Sequence, residues 1–128
     1  MKTSVFYAKL HQARVTDANI EYKGSIGIDQ DLIALAGMYQ YQKVLVVDLE
    51  NGNRLETYII PAERGSGDIT LNGAAARLVS VGDRVIIIAF VDVEIPVPSD
   101  WDPRVVILDE ENRVESVSGR LLVENMPS

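Results

Sequence analysis

Apolar residues along this chain recur mostly at every second position or in short unbroken runs, the two patterns typical of β-strands. Valine, isoleucine and tyrosine are common in these segments, and residues that favour turns separate them. The longest run, residues 85–93, predicts a central strand of the core. Strands are predicted at residues 3–10, in two short pieces of 13–22 joined by a turn near 16–19, and at 43–49, 54–60, 69–71, 85–93, 105–108 and 114–117.

Helical structure is predicted in only two places. Residues 29–37 predict a short helix, with Asp29 as its N-cap and Gly37 as the residue at which it ends. Asn72-Gly73 predicts a turn that leads into a helical turn over the three alanines that follow. Many short strands with two brief helical segments favour a small closed β-barrel, because closure removes exposed strand edges.

Turn residues mark the ends of several predicted strands. Asn51-Gly52 is typical of a type I′ hairpin turn, and Pro61 is expected to end the strand after it, because proline cannot donate to a strand ladder. Prolines at 96, 98 and 103 predict an irregular connection. The last residues, which include Pro127, are expected to form a loose tail.

Composition narrows the classes of function. A chain of 128 residues fits one domain with a single core. It has no cysteine, which excludes disulfides and cysteine-bound zinc, and His11 is its only histidine, which excludes a histidine cluster. A net charge of −7 argues against nucleic-acid binding. No signal peptide or membrane span is recognisable in the sequence, so a cytoplasmic protein is expected.

The alternation of side chains sorts the polar residues by face. Arg54 and Tyr58 share one face of their predicted strand, and Thr57 lies on the other. Lys9 and His11 share a face of the first strand. Each of these residues also has an ordinary structural explanation, such as a solvated arginine, an edge lysine or a core histidine.

The most unusual chemistry open to the sequence lies at Gly24-Ser25. A serine hydroxyl that attacks the preceding carbonyl carbon converts the amide into an ester, and elimination of that ester leaves dehydroalanine, which hydrolyses to a pyruvoyl group. Glycine before the serine tolerates the strained backbone that such an attack demands. Most Gly-Ser pairs are ordinary turns, so the dipeptide needs support from the rest of the chain.

That support comes from four motifs that occur together. As a set they resemble the aspartate 1-decarboxylase family of pyruvoyl lyases, over almost the whole chain but more loosely after about Val93. The motifs are Lys9-Leu10-His11, Tyr22-x-Gly24-Ser25-Ile26-x-Ile28-Asp29, Asn51-Gly52-x-Arg54-x-x-Thr57-Tyr58 and Asn72-Gly73-Ala74-Ala75-Ala76.

The resemblance implies a double-psi β-barrel, a homotetramer and autocatalytic cleavage of a zymogen before Ser25. Cleavage would leave a chain of residues 1–24 and a chain of residues 25–128 that begins with pyruvoyl. The reaction implied is decarboxylation of L-aspartate to β-alanine and CO₂ for pantothenate biosynthesis. It would proceed through a Schiff base to the pyruvoyl, without a metal or pyridoxal phosphate and with no nucleic-acid or membrane partner.

The resemblance also implies a role for each motif residue. Arg54, aided by Lys9, would bind a substrate carboxylate, and Tyr58 would return a proton after CO₂ leaves. Thr57 would contact the substrate and also donate to the Gly24 carbonyl during cleavage. The rest of the set is the wall of small and polar residues around the pyruvoyl, Asn72, Gly73, Ala74 and Ala75, and the supporting residues near the cleavage site, His11 and Tyr22.

Two positions depart from the family pattern. Val47 stands where some relatives carry tryptophan, and Asp48 where asparagine is frequent, so local packing and pocket shape are less certain there than the chemistry. Two other functions stay open on sequence: a non-enzymatic β-barrel binding module, which the charge of −7 disfavours if its ligand is DNA, and a purely structural oligomer subunit. Both predict an intact chain, whereas the decarboxylase predicts two fragments.

Overall fold

The computed structural model of the chain describes residues 1–127 and is built mainly from strands. None of the helices in this part is long and apolar enough to cross a membrane. The elements are β1 (Lys2–Arg14), β2 (Asp17–Asn19), β3 (Ser25–Asp29), α1 (Gln30–Ala36), β4 (Lys43–Asp48), β5 (Arg54–Ala62), β6 (Ile69–Asn72), a 3₁₀ turn (Gly73–Arg77), β7 (Arg84–Glu94), β8 (Arg104–Leu108), β9 (Val114–Ser118) and α2 (Leu122–Asn125).

The strands form one nine-stranded sheet in the order β2-β6-β3-β5-β4-β7-β1-β8-β9. The pairs β2–β6, β3–β5 and β1–β8 are parallel, and the other neighbours are antiparallel. The sheet curls so that strands distant in this order meet. Thr16, after β1, exchanges hydrogen bonds with Ile69 of β6, and the buried Asn112 donates to the carbonyls of Arg14 and Gly67. The expected mostly β, closed double-psi barrel with short helical segments is confirmed.

Alternating side chains fill the barrel. In β1 the buried Ala8 and Leu10 flank the half-buried Lys9, and in β5 the buried Ile59 follows the exposed Tyr58. Inward residues of β3, β6 and β7 complete the core with branched side chains, which fit a pleated surface well. The largest fully buried side chains are Tyr7, Leu10, Val15, Ile26, Ile28, Val44, Val46, Ile59, Ile69, Leu71, Ile87 and Leu108.

Two strand predictions near the N-terminus were wrong in detail. β1 runs on to Arg14 because a bulge between Leu10 and Ala13, with Gln12 at a φ of 62°, lets the strand bend and continue. Residues 17–19, expected in a turn, form β2 and pair with β6. The turn comes later, between Asn19 and Ser25.

The hairpin of β4 and β5 was predicted correctly, but its turn type was not. A type I′ turn requires positive φ at both central residues, and of Asn51 and Gly52 only Gly52 has it. Asp48 instead organises a longer loop, accepting hydrogen bonds from the backbone of Glu50 and Asn51.

Pro61 does not end β5, which continues to Ala62 beside β3. Hydrogen bonds on the β4 side of β5 end at Ile59, which bonds to Tyr41 and Gln42, so at Pro61 that edge is unpaired and proline costs no ladder bond. The predicted loose tail is also wrong for residues 122–125. They form α2, which the buried Asn125 ties to both backbone groups of Asp102.

Candidate active site

Ser25 begins β3, between β5 on one side and β6 on the other. It is 1% exposed and stands directly opposite Asn72 in the antiparallel register with β6. The Asn72 Nδ2 donates a hydrogen bond of 2.9 Å to the Ser25 Oγ, and Asn72 is itself buried. Backbone register and side-chain contact together fix the hydroxyl of Ser25.

The residues just before Ser25 are exposed. Tyr22 is 56% exposed, and Lys23 and Gly24 also face solvent. The peptide bond between Gly24 and Ser25 therefore lies where the chain passes from solvent into the barrel. Gly24 is not among the residues with positive φ, and a Cβ on it would meet nothing within 4 Å. The backbone at Gly24 is therefore not left-handed in the uncleaved chain.

Asn72-Gly73 and the alanines after it lie beside this bond. Gly73 is buried, has a φ of 68° and opens the 3₁₀ turn. Ala74 is exposed, and Ala75 packs partly against the core. The wall of small residues expected around Ser25 is thus next to it on one side.

β5 brings two further residues alongside the Gly24–Ser25 bond. Ile26 pairs with Ile59 in the parallel register, so one step back along both strands sets Ser25 of β3 level with Tyr58 of β5, and Thr57 is the next residue of β5. The pleat puts Ser25 and Tyr58 on the face opposite to the buried Ile26 and Ile59. Tyr58 is 40% exposed and Thr57 is half-buried.

Arg54 lies farther from Ser25. It is four residues before Tyr58, about 13 Å along the strand. It is exposed and makes no ion pair among residues 1–127, although Lys43 and Glu56 beside it pair at 3.3 Å. Its guanidinium is thus available for an external carboxylate.

Lys9 and His11 are not brought to Ser25 by strand pairing within this chain. Lys9 pairs with Ile88, which pairs with Leu45 and in turn with Glu56, so β1 is three strands and about 14 Å from β5. The Lys9 Nζ lies 5.5 Å from the centre of the Phe6 ring.

His11 stands beside Lys9 on the same face and is partly buried. Burial lowers the pKa of His11, and the charge of Lys9 lowers it further. Its buried Nδ1 has no hydrogen-bond partner among the described residues. Neutral His11 therefore adds no third cation beside Lys9 and Arg54.

Sequence reasoning missed Asn19. Its Oδ1 accepts from the backbone N–H of Glu21, and its carbonyl accepts from that of Tyr22, so it forms the turn that delivers Gly24 to Ser25. An asparagine that bonds its own backbone two residues on is a known turn signal. That signal is present in the sequence, but the breaks in the apolar pattern predict the turn at residues 16–19 instead.

The largest hollow described does not contain Ser25. It is open, about 700 Å³ in volume, and lies between β1, β4, β5 and β7 on the outside of the barrel. Leu45, Glu56 and Phe90 are among its lining residues. Within residues 1–127 no group of three or more acidic or histidine side chains is arranged to hold a metal ion.

Comparison with known proteins gives one consistent family. The model of the family described as Aspartate decarboxylase matches residues 1–115. A protein of Chloroherpeton thalassium named Aspartate 1-decarboxylase is 51% identical over 117 residues, which cover 91% of this chain and 86% of its own. Proteins of the same name are 50% identical in Bacillus subtilis strain 168, covering 93% and 94%, and 53% identical in Leptospira biflexa, covering 88% and 97%.

Among solved structures, the computationally designed protein msDPBB_sym2 superposes with a TM-score of 0.43 at 20% identity. The match covers 68% of this chain and 99% of the designed one. That likeness is too slight to bear on the fold, which the strand pairing defines.

Proposed function

The chain belongs to the aspartate decarboxylase family, and on this premise we propose that it converts L-aspartate to β-alanine and CO₂ with a pyruvoyl group made from its own Ser25. Membership supports aspartate decarboxylation as the activity. The pyruvoyl, its formation by self-cleavage, the assembly and the supply of β-alanine to pantothenate biosynthesis are the finer parts of the proposal. The observation that carries it is the hydrogen bond from Asn72 to the buried Ser25 hydroxyl, at the edge of an exposed loop.

In the first step of cleavage the Ser25 Oγ attacks the Gly24 carbonyl carbon. The C–N bond breaks, and the hydroxyl proton passes to the released amine of residue 25, which leaves an ester. Thr57, which precedes Tyr58 on β5, donates to the carbonyl oxygen as that oxygen gains negative charge. Asn72 keeps the Ser25 Oγ beside the loop while this happens.

Elimination then separates the two fragments. Loss of the Cα proton of residue 25 breaks its Cβ–O bond, so Gly24 leaves as a carboxylate and dehydroalanine remains. Water replaces the nitrogen, which departs as ammonia, and the new N-terminus is a pyruvoyl. Gly24 is exposed, and the side of it on which a Cβ would lie is open, so the departing end of residues 1–24 has room to move away.

The residues present fit such a group. It would supply an electrophilic carbonyl that takes the substrate amine and accepts the electrons released with CO₂. Asn72 and the small residues after it line one side of residue 25, and Tyr58 stands level with it on β5. Arg54 would bind the remaining carboxylate through its planar guanidinium, and the Tyr58 phenol would return a proton to the carbanion.

The outer face of the sheet supports the proposed homotetramer. Lys9, Arg54 and Tyr58 all project from this face. The surface between these three residues is apolar and half-exposed, and it lies around the open hollow. A monomer rarely exposes a large apolar patch without a partner, and closed symmetric assemblies are the rule for oligomers. We propose that a second copy covers this surface, whose apolar residues are Leu45, Val47, Ile86, Ile88, Phe90, Val105 and Ile107.

Intact-protein mass spectrometry tests the proposal. The incubated protein is expected to give fragments of residues 1–24 and 25–128, the second blocked at its N-terminus. Ser25→Ala is expected to fold but stay intact at 14.1 kDa and form no β-alanine, because no hydroxyl remains to attack. Parent protein that decarboxylates aspartate as a single intact chain would refute the self-made cofactor.

A further inference from the structure

Gly73 is the left-handed glycine of residues 1–127 that packs against the loop before Ser25, whereas the tighter backbone approach of Gly119 is to Pro103 and Arg104. A Cβ built on Gly73 would lie 2.8 Å from both the Cα and the N of Gly24, and 3.2 Å from the carbonyl oxygen of Tyr22. All three atoms belong to the backbone of the loop that leads into Ser25, so no side chain could rotate away to make room.

Two independent features therefore require glycine at this position. Its φ of 68° is a conformation that residues with a Cβ rarely adopt. The approach of the Gly24 backbone leaves no space for a Cβ in any case. Gly52 and Gly65 also have positive φ, but a Cβ on either would meet nothing within 4 Å.

Gly73 contacts Gly24, the residue before the scissile bond, whereas Asn72 holds Ser25, the residue after it. Asn72 fixes the Ser25 hydroxyl at 2.9 Å, and the next residue, Gly73, supports the backbone of Gly24. One dipeptide thus positions the attacking oxygen and the residue whose carbonyl is attacked. Attack depends steeply on such placement, because a misplacement of about 1 Å can cost about a hundredfold in rate.

We infer that Gly73 is a positioning residue for self-cleavage, which sets the Gly24 carbonyl carbon within reach of the Ser25 hydroxyl by allowing close backbone packing. The inference rests on the proposed function and adds the residue that controls its first step. A side chain at 73 has to displace the Gly24 backbone by about half an ångström or more to reach ordinary contact. The displaced part is the acyl half of the scissile bond.

The test compares Gly73→Ala with Gly65→Ala, since Gly65 has a similar φ of 75° but open space around it. Both variants carry a similar penalty for a Cβ at positive φ, about 1–2 kcal/mol. The cleaved fraction is followed over time by mass spectrometry at a temperature where both are folded. Gly73→Ala is expected to cleave at least about ten times more slowly than Gly65→Ala. Gly65→Ala should cleave at the rate of the parent.

Two additions separate positioning from folding. Gly73→Asn places a Cβ at the same point on a residue that tolerates positive φ, and it should cleave as slowly as Gly73→Ala. Hydroxylamine cleaves esters in preference to amides, so its immediate release of residues 1–24 reports the ester formed in the first step. That release should fall in both Gly73 variants.

Each outcome is decisive. A parent that never cleaves refutes the proposed function, and the role of Gly73 falls with it. A parent and folded Gly73 variants that cleave at equal rates refute only the positioning role. Gly73 variants that both fail to fold, beside a folded Gly65→Ala, would show that glycine here serves the fold and would also overturn the inference.

Discussion

Arg54 and Lys9 are the two cations that the outer face offers to a substrate, and their surroundings differ. Arg54 stands at the start of β5 and makes no ion pair within the described chain, while its neighbour Glu56 is taken by Lys43. Lys9 lies against the ring of Phe6, a contact that stabilises its charge without neutralising it. The planar guanidinium is therefore the better anchor for a carboxylate, and Lys9 the auxiliary charge.

Arg54→Ala is expected to lose at least about thirtyfold in kcat/KM for aspartate, since a lost charge-assisted contact costs about 2–5 kcal/mol. Arg54→Lys keeps the charge but loses the planar guanidinium that can bind a carboxylate through two hydrogen bonds, so its activity should also be impaired. Cleavage should proceed in both, because it needs no substrate. The measurement is steady-state β-alanine production beside a gel that reports cleavage. Arg64→Ala is the control, at an exposed arginine that forms an ion pair with Asp31. Full activity in Arg54→Ala would leave Arg54 as an ordinary hairpin residue.

Two buried carboxylates differ in how well they are solvated by the protein. Burial raises the pKa of Asp29, but hydrogen bonds from the backbone of Gly67, Asp31 and Gly65 outweigh it, so the pKa is lowered. Burial also raises the pKa of Asp48, and there the neighbouring carboxylate of Asp83 raises it further against two backbone donors. One Asp48 oxygen has no hydrogen-bond partner among the described residues. Asp48 is thus the carboxylate that costs stability when it ionises.

Asp48→Asn is expected to raise the free energy of unfolding at neutral pH by about 1–2 kcal/mol, because an amide can donate to Asp83. The raised pKa of Asp48 means that its protonated form stabilises the fold below the unfolded pKa of about 3.9. That stability is lost as the pH rises through the folded pKa. The advantage of Asp48→Asn should therefore shrink as the pH falls toward 4, measured by denaturant unfolding across pH. Asp109→Asn, at an exposed carboxylate with a lowered pKa, is the control and should show no such gain. An Asp48→Asn variant less stable than the parent at neutral pH contradicts this account.

At the scale of elements, local signals were read correctly where the interactions behind them are local. The N-cap Asp29 and the left-handed Gly37 bound α1 as predicted, because both act within one turn of the helix. The apolar run of β7 also predicts its strand correctly, because the signal lies in consecutive residues. Asp48 changed the hairpin turn through its own side chain, an effect that the dipeptide Asn51-Gly52 does not encode.

Elements that depend on distant contacts were not predicted. β2 forms because it pairs with β6. α2 is held in place because the Asn125 side chain hydrogen-bonds to the backbone of Asp102. The candidate site divides in the same way. The motifs around Ser25 and Tyr58 name residues that the register of β3 and β5 then places level with each other. That Lys9 is three strands away from β5 follows only from the order of the sheet.

Asn125→Ala tests how firmly α2 is attached. The buried amide accepts from the Asp102 N–H and donates to the carbonyls of Asp102 and Arg120. Its loss should cost about 1–3 kcal/mol, because it leaves buried partners unsatisfied. Thermal unfolding should show a lower Tm than for Glu124→Ala, an exposed neighbour without such contacts. Equal Tm values for the two variants would restore the view of this segment as a loose tail.

At the scale of the whole molecule, the positions of the site residues raise the question of which copies supply them. Arg54 is about 13 Å from the level of Ser25 along β5, and Lys9 is three strands from Arg54. An aspartate attached at residue 25 is much shorter than the first of these separations. Lys9, Arg54 and Tyr58 all project from the apolar surface that a second copy would cover. A site completed by two copies accounts for this arrangement.

Co-expression of Ser25→Ala with Arg54→Ala tests that arrangement directly. Each variant alone should be nearly inactive, the first for want of a pyruvoyl and the second for want of the anchor. If Arg54 serves the Ser25 of a neighbouring copy, mixed assemblies contain complete sites, about a quarter of all sites after random mixing of the two chains. β-Alanine production should therefore recover to about that fraction of the parent's, and light scattering should give about four times 14.1 kDa. The two variants purified separately and assayed without subunit exchange are the control. Mixed assemblies of the correct mass that stay inactive would place Arg54 and Ser25 of one chain in the same site.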